Sequence, residues 1–177
     1  MSVLSVLDVI KARSSIRRYK DKPIHKQTFL SILEAARLAQ SADNRQPWEF
    51  IAVTDPAMKR RLVQAAGNQG FVGEAAAVIV CLANPRESAS VGPFEGFMMD
   101  LAIAIDNMAL TAWDFDIGSC WIGTYNEEKV KELLSVPKNL RVVSLLTLGY
   151  PDQVPGAKYR KPLDEIVHYE KYGRKEH

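Results

Sequence analysis

Phe97-Met98-Met99-Asp100-Leu101-Ala102-Ile103-Ala104-Ile105-Asp106-Asn107-Met108-Ala109-Leu110-Thr111-Ala112-Trp113-Asp114-Phe115 is the stretch whose reading decides the fold. At helical spacing Met98, Leu101, Ala102, Ile105, Met108, Ala109, Ala112 and Trp113 leave almost no polar face. A helix apolar nearly all round is buried on most of its sides. The chain has 177 residues, enough for a single domain over 1–177. In a domain of that size such a helix lies under a sheet or in a subunit interface. Alanines interleaved with methionines suit close packing in either place.

Reading outward from this helix, apolar runs predict strands over 50–54, 76–82, 117–123 and 141–149. Ala76 to Leu82 is apolar on both faces, as a fully covered strand must be. Helices are predicted over 3–12 (Val3, Val6, Leu7 and Ile10 on one face), 28–40 (Phe29, Ile32, Leu33, Ala36) and 56–66. Another follows Asn126, a good N-cap, with Glu127 and Glu128 in the first turn where the helix dipole favours them. It ends by Pro137. Residues 41–47 and 84–93 read as loops, and 67–70 as a turn. Residues 150–177 carry Pro151, Pro155 and Pro162, much charge and little helical period. They hold too few apolar groups for a core of their own and too many for plain disorder, so this tail is expected to pack over a neighbour. Helices alternating with strands give an α/β or α+β domain layered around one sheet.

The bulk properties narrow the function. Net charge is +2, too weak for a nucleic-acid surface. No apolar run reaches the length needed to span a bilayer, and residues 1–10 do not read as a secretory leader because Asp8 interrupts them. A cytoplasmic protein with no nucleic-acid or membrane partner is expected. Cys81 and Cys120 sit in separate apolar runs and read as buried free thiols. Without CxxC or a Cys/His cluster, no metal site is expected. His25, His168 and His177 show no triad or ligand spacing, so no catalytic histidine is assigned. There is no GxGxxG after a strand, no P-loop and no GxSxG. An enzyme lacking acid–base or metal motifs is often one whose cofactor carries the chemistry.

Three polar segments are candidates. Arg13-Ser14-Ser15-Ile16-Arg17 offers two guanidinium forks and two hydroxyls, the groups a phosphate monoester wants. Taken alone, the plainer reading is a solvated basic helix end, where cations offset the dipole. Asn44-Arg45-Gln46-Pro47-Trp48 joins a helix to a strand, and its amides suit the polar edge of a heterocycle; Trp48 reads equally as core. Lys158-Tyr159-Arg160-Lys161-Pro162 is a second cationic cluster. Each cluster singly reads as surface, but two in a nearly neutral chain can converge on one anion.

Together these segments resemble the nitroreductase family of FMN enzymes. Four blocks carry the resemblance in order: Arg13 to Tyr19; Ser41-Ala42-Asp43-Asn44-Arg45-Gln46-Pro47-Trp48-Glu49-Phe50; Gly118-Ser119-Cys120-Trp121-Ile122-Gly123; and Leu148-Gly149-Tyr150-Pro151 followed by Lys158 to Leu163. The resemblance implies an α+β fold with a mixed, mainly antiparallel sheet flanked by helices on both faces. It implies an intertwined homodimer with FMN at the interface and the tail 150–177 exchanged onto the partner. Arg13, Ser14 and Ser15 match contacts to the phosphate and ribityl chain, and Lys158 and Arg160 match further phosphate ligands. Arg17 matches a cation at the pyrimidine edge that tunes the flavin, whose N5 carries the chemistry. Ser41, Ala42 and Asn44 match a flavin-facing loop, the first two from the partner. Ile122 and Gly123 match backbone contacts at the reactive edge, and Asn68 and Gln69 an amide near the ring. The implied activity is ping-pong transfer of electrons from NAD(P)H to a nitroaromatic, quinone or similar small acceptor. Dehalogenation, enone reduction, flavin fragmentation and a non-catalytic flavin-binding or redox-sensing role remain alternatives.

Overall fold

The spine is a strand of seven residues, Ala77–Ala83, buried from end to end. In this computed structural model, which describes residues 5–156 and 158–175, that strand is β2. It pairs antiparallel with β1 (Trp48–Val53) on one side and β6 (Arg141–Gly149) on the other, and β6 pairs antiparallel with β5 (Gly118–Ile122). The order is β1-β2-β6-β5. All the pairings within this sheet are antiparallel; among the described residues a parallel contact is made by an isolated bridge outside the named strands, Ser15 to Ser119, where the expectation was a mixed, mainly antiparallel sheet.

Alternation along β2 explains the layers. Val78, Val80 and Leu82 join Leu62 of α3 (Pro56–Ala65) and Val130 of α6 (Glu127–Leu134). Ala77, Ile79, Cys81 and Ala83 point the other way, onto Ile32 and Ala36 of α2 (Lys26–Arg37) and onto α5 (Gly96–Asp114). Side chains at period two cover both faces of a sheet. The expected α+β layering, with helices on both faces, is the observed one. The central helix buries Leu101, Ile105 and Met108 completely, each contributing about 1.5–3 kcal/mol of apolar transfer.

Several local expectations shift. The first helix, α1, spans Val6–Ala12 because Ser5 caps it and Asp8 completes a capping box; Val3 lies outside the described residues. Its predicted stripe faces outward: Val6 is 73% exposed, and Val9 is the residue that α1 buries. His25 accepts from the Gln27 amide and starts α2 two residues earlier than read. The expected loop 84–93 runs into a two-residue hairpin, β3 (Ser90–Val91) with β4 (Phe94–Glu95). A one-turn helix, α4 (Phe71–Glu74), follows the 67–70 turn, and another, α7 (Leu163–Ile166), interrupts the tail. Both are too short for a periodicity signal. Cys81 and Cys120 are buried free thiols, as expected. Among the described residues no helix is long and apolar enough to cross a membrane.

Candidate flavin site along β5

The segment after α1 is fastened to β5. The Ile16 amide donates to the Ser119 carbonyl at 2.8 Å, beside the Ser15–Ser119 bridge. Ile16 and Tyr19 turn inward and are buried. The Tyr19 hydroxyl lies 2.8 Å from the Ile16 carbonyl and 2.7 Å from Thr147 Oγ1 on β6. Burial pushes its pKa up, so it stays a neutral phenol. Two glycines make this docking possible. A Cβ on Gly118 would stand 2.5 Å from Ile16 Cγ1, and one on Gly149 would stand 2.7 Å from Tyr19 Cδ1. The glycine at the start of the third block therefore makes room for the first block. With Ile16 and Tyr19 facing in, Arg13, Ser14 and Ser15 are half-buried and Arg17 is exposed.

Both cationic clusters bear electrostatically on β5. The Cys120 thiol is raised by burial and pulled back by Arg17, Lys158 and Arg13. Three cations separated by up to 145 positions thus act on one residue of β5. Arg160 is exposed and donates to the Tyr159 carbonyl at 3.1 Å. Arg18 faces Asp152 at 4.0 Å, both exposed.

The far end of β5 gathers a second group. Ile122 is buried, while Gly123 has open space where a Cβ would stand. The Gln69 amide donates to the Ala66 carbonyl at 2.8 Å and the Thr124 carbonyl at 3.4 Å, tying the 67–70 turn to the end of the strand. Asn68 beside it has φ +59° and is exposed. From Ser119 to Gly123 the strand spans about 13 Å.

Ser41, Ala42 and Asn44 lie elsewhere. Their loop holds a 3-10 turn (Ala42–Asn44), with Asp43, Asn44 and Gln46 in left-handed conformations. Ser41 Oγ accepts from the Gln46 amide at 3.0 Å, and Asp100 Oδ1 accepts from the Ala42 amide at 3.0 Å. Asp100 stands in the second turn of α5, whereas α1 packs beside Leu110, Thr111 and Asp114 near its other end. Asp100 and Asp114 are about 21 Å apart along the helix. Within one chain this loop therefore hangs at the opposite end of α5 from α1 and the arginines that follow it.

Sequence reasoning missed two supports of this arrangement, Asp100 and the Tyr19–Thr147 contact. The signal for Asp100 was its acidic side chain in the apolar run Phe97 to Ile105. Tyr19 closes the first block, but nothing local marked its contact with Thr147, which is 128 positions away.

A family model described as "Nitroreductase family" matches residues 10–84 and 63–150. A protein of Archaeoglobus fulgidus is 40% identical over 149 residues, 82% of this chain and 84% of its own. A nitroreductase family protein from Clostridium novyi NT superposes with a TM-score of 0.81 at 35% identity, covering 97% of each chain. The NADPH:FMN oxidoreductase of Vibrio harveyi, solved with NAD+, superposes with a TM-score of 0.86 at 30% identity, covering 94% of this chain and 77% of its own. With its fold, its four sequence blocks and these likenesses in agreement, the chain is an oxidoreductase of the nitroreductase family.

Proposed function

We propose that the chain is an FMN-dependent oxidoreductase working by a ping-pong mechanism between NAD(P)H and a nitroaromatic, quinone or similar small acceptor. The observation that carries this reading is the docking of the basic segment on β5, where the Ile16 amide donates to the Ser119 carbonyl and leaves Arg13, Ser14 and Ser15 half-buried beside the strand. A cluster of cations with serine hydroxyls beside it suits a phosphate monoester. Bound FMN would supply the hydride-accepting N5 and pass the electrons on. Arg13, Ser14, Ser15, Lys158 and Arg160 hold the phosphate end. Arg17 places positive charge at the pyrimidine edge, where reduction builds negative charge, and so raises the reduction potential. Ile122 and Gly123 present backbone at the other end of β5, with Asn68 and Gln69 beside them. A Cβ built at Gly123 would meet no atom within 4 Å, so the backbone there is open to an approaching ligand.

The functional unit in this reading is a cytoplasmic homodimer with exchanged tails. Leu163 and Tyr172 are 74% and 94% exposed, an apolar tail without cover of its own. Among the described residues no strand pairs with the outer edge of β1. A partner chain also brings a second 41–46 loop, which one chain holds away from its own arginines.

The test is direct. The purified chain is expected to be yellow, to release FMN on heating and to oxidise NAD(P)H with a quinone or nitroarene. A colourless chain that cannot be reconstituted with FMN overturns the reading. Arg17→Ala is expected to lower the flavin reduction potential; an unchanged potential removes Arg17 from that role.

A further inference from the structure

Lys59 stands on α3 and is only 7% exposed. Lysine is almost never buried to this degree without partners, because its ammonium loses its hydration there. The partners here are backbone. Nζ donates to the Ala75 carbonyl at 2.5 Å and to the Ala76 carbonyl at 3.5 Å. Both carbonyls belong to the link between α4 and β2, and a carbonyl taken out of water needs a donor. Burial lowers the pKa of Lys59, and the charges of Asp21 and Asp55 pull it back up.

The link that Lys59 holds is a joint between two parts of the flavin site. On one side lies the segment from the 67–70 turn through α4, laid along α3. The Asn68 amide donates to the Val63 carbonyl at 2.9 Å, and a Cβ on Gly73 would stand 3.3 Å from Val63 Cγ2. On the other side lies the basic segment. Ala75 is fully buried in one cluster with Ile16 and Tyr19. The Ala76 nitrogen would stand 3.1 Å from a Cβ on Gly149, the glycine that also makes room for Tyr19. Asp21, whose charge acts on Lys59, follows Tyr19 by two residues.

We propose that Lys59 is a positioning residue of the flavin site: by tying the Ala75–Ala76 joint to α3, it fixes the 67–70 turn and the basic segment relative to each other. Asn68 and Gln69 approach the flavin from one side of the joint, and Arg13, Ser15 and Arg17 from the other. An apolar side chain of the same length would fill the space and leave both carbonyls without this donor. This inference rests on the flavin-binding reading above.

Lys59→Met keeps the stem and removes the ammonium. In the apo protein, hydrogen exchange at the Ile16 and Ala75 amides, taken relative to the Val80 amide in the middle of β2, is expected to rise about tenfold or more. Global unfolding would speed all three amides alike, so the ratio reports the joint alone. FMN affinity, from fluorescence quenching, is expected to fall about tenfold or more, and the flavin reduction potential to drop toward that of free FMN as Arg17 leaves its place. Leu140→Ala is the control. It is a core change next to the start of β6, the end of that strand remote from Gly149. It should lower the urea midpoint yet leave the exchange ratio and the potential at wild-type values. Far-UV circular dichroism checks the fold. If Lys59→Met fails to fold, Lys59→Gln, which keeps a donor at shorter reach, carries the test with smaller changes in the same direction. A wild-type exchange ratio in the Lys59 variant overturns the proposal. So does faster exchange with unchanged FMN affinity and potential, which would make Lys59 a structural tie only. Losses of affinity and potential matched by Leu140→Ala overturn it as well. A wild-type chain that binds no FMN defeats the functional reading instead, and the exchange ratio then judges the joint by itself.

Discussion

Gly118→Ala is the sharpest test of how the basic segment is held. Gly118 has an ordinary backbone conformation, so alanine meets no torsional penalty there and the effect is steric. The new methyl would lie 2.5 Å from Ile16 Cγ1, 2.9 Å from Ile16 Cβ and 3.0 Å from Pro151 Cγ. Carbon atoms settle about 3.5–4.0 Å apart, so Ile16 must retreat by roughly 1 Å. Its Cβ is tied to the backbone, so the retreat draws the main chain with it. That stretches the 2.8 Å bond from the Ile16 amide to Ser119. Overpacking of this kind costs about 1–3 kcal/mol, and a weakened hydrogen bond adds about 0.5–1.5 kcal/mol. A total loss of about 1.5–4.5 kcal/mol is expected in urea unfolding of the apo protein. Arg13, Ser15 and Arg17 move with Ile16, so FMN affinity should drop about tenfold or more, the equivalent of one charge-assisted hydrogen bond. Gly123→Ala is the control, because its Cβ meets nothing within 4 Å; apo stability should change by less than about 0.5 kcal/mol. If Gly118→Ala unfolds at the wild-type urea midpoint and binds FMN as wild type does, the close approach of Ile16 to β5 does not hold the segment.

Two further outcomes follow from buried and paired groups. Tyr19→Phe removes a hydroxyl that sits 2.8 Å from the Ile16 carbonyl and 2.7 Å from Thr147 Oγ1. It should cost about 1–3 kcal/mol in urea unfolding, and an unchanged midpoint would show that the ring alone locks the segment. Glu127 is pushed up by burial, but Arg141, the Val142 amide and Lys131 outweigh this and hold its pKa at about 2, against 4.5 unperturbed. A depressed carboxylate contributes stability that is fully present above the unfolded value and is lost as pH falls through 4.5 towards 2. Arg141 is half exposed, so screening limits the effect to about 1–2 kcal/mol. Glu127→Gln should therefore be less stable at pH 7, with the deficit closing near pH 2. A deficit independent of pH would mean the ion pairs do not contribute.

What the sequence determined by itself was the kind and order of the elements. Residues 141–149 read as a strand and are one, and Asn126 reads as a cap and accepts from the Lys129 amide at 2.9 Å. Such features rest on hydrophobic period and capping chemistry, which act between residues four positions apart or closer. The order of four family blocks added the kind of enzyme. Tertiary structure alone decided which apolar groups are core. Val6, Leu7 and Ile10 keep a helical stripe, yet α1 turns it outward. It alone set Gly118 and Gly149 against Ile16 and Tyr19. It also put the 41–46 loop at the far end of α5. The physical reason is distance along the chain: such contacts join residues far apart, 58 positions for Ala42 and Asp100 and 128 for Tyr19 and Thr147, and no local pattern records them.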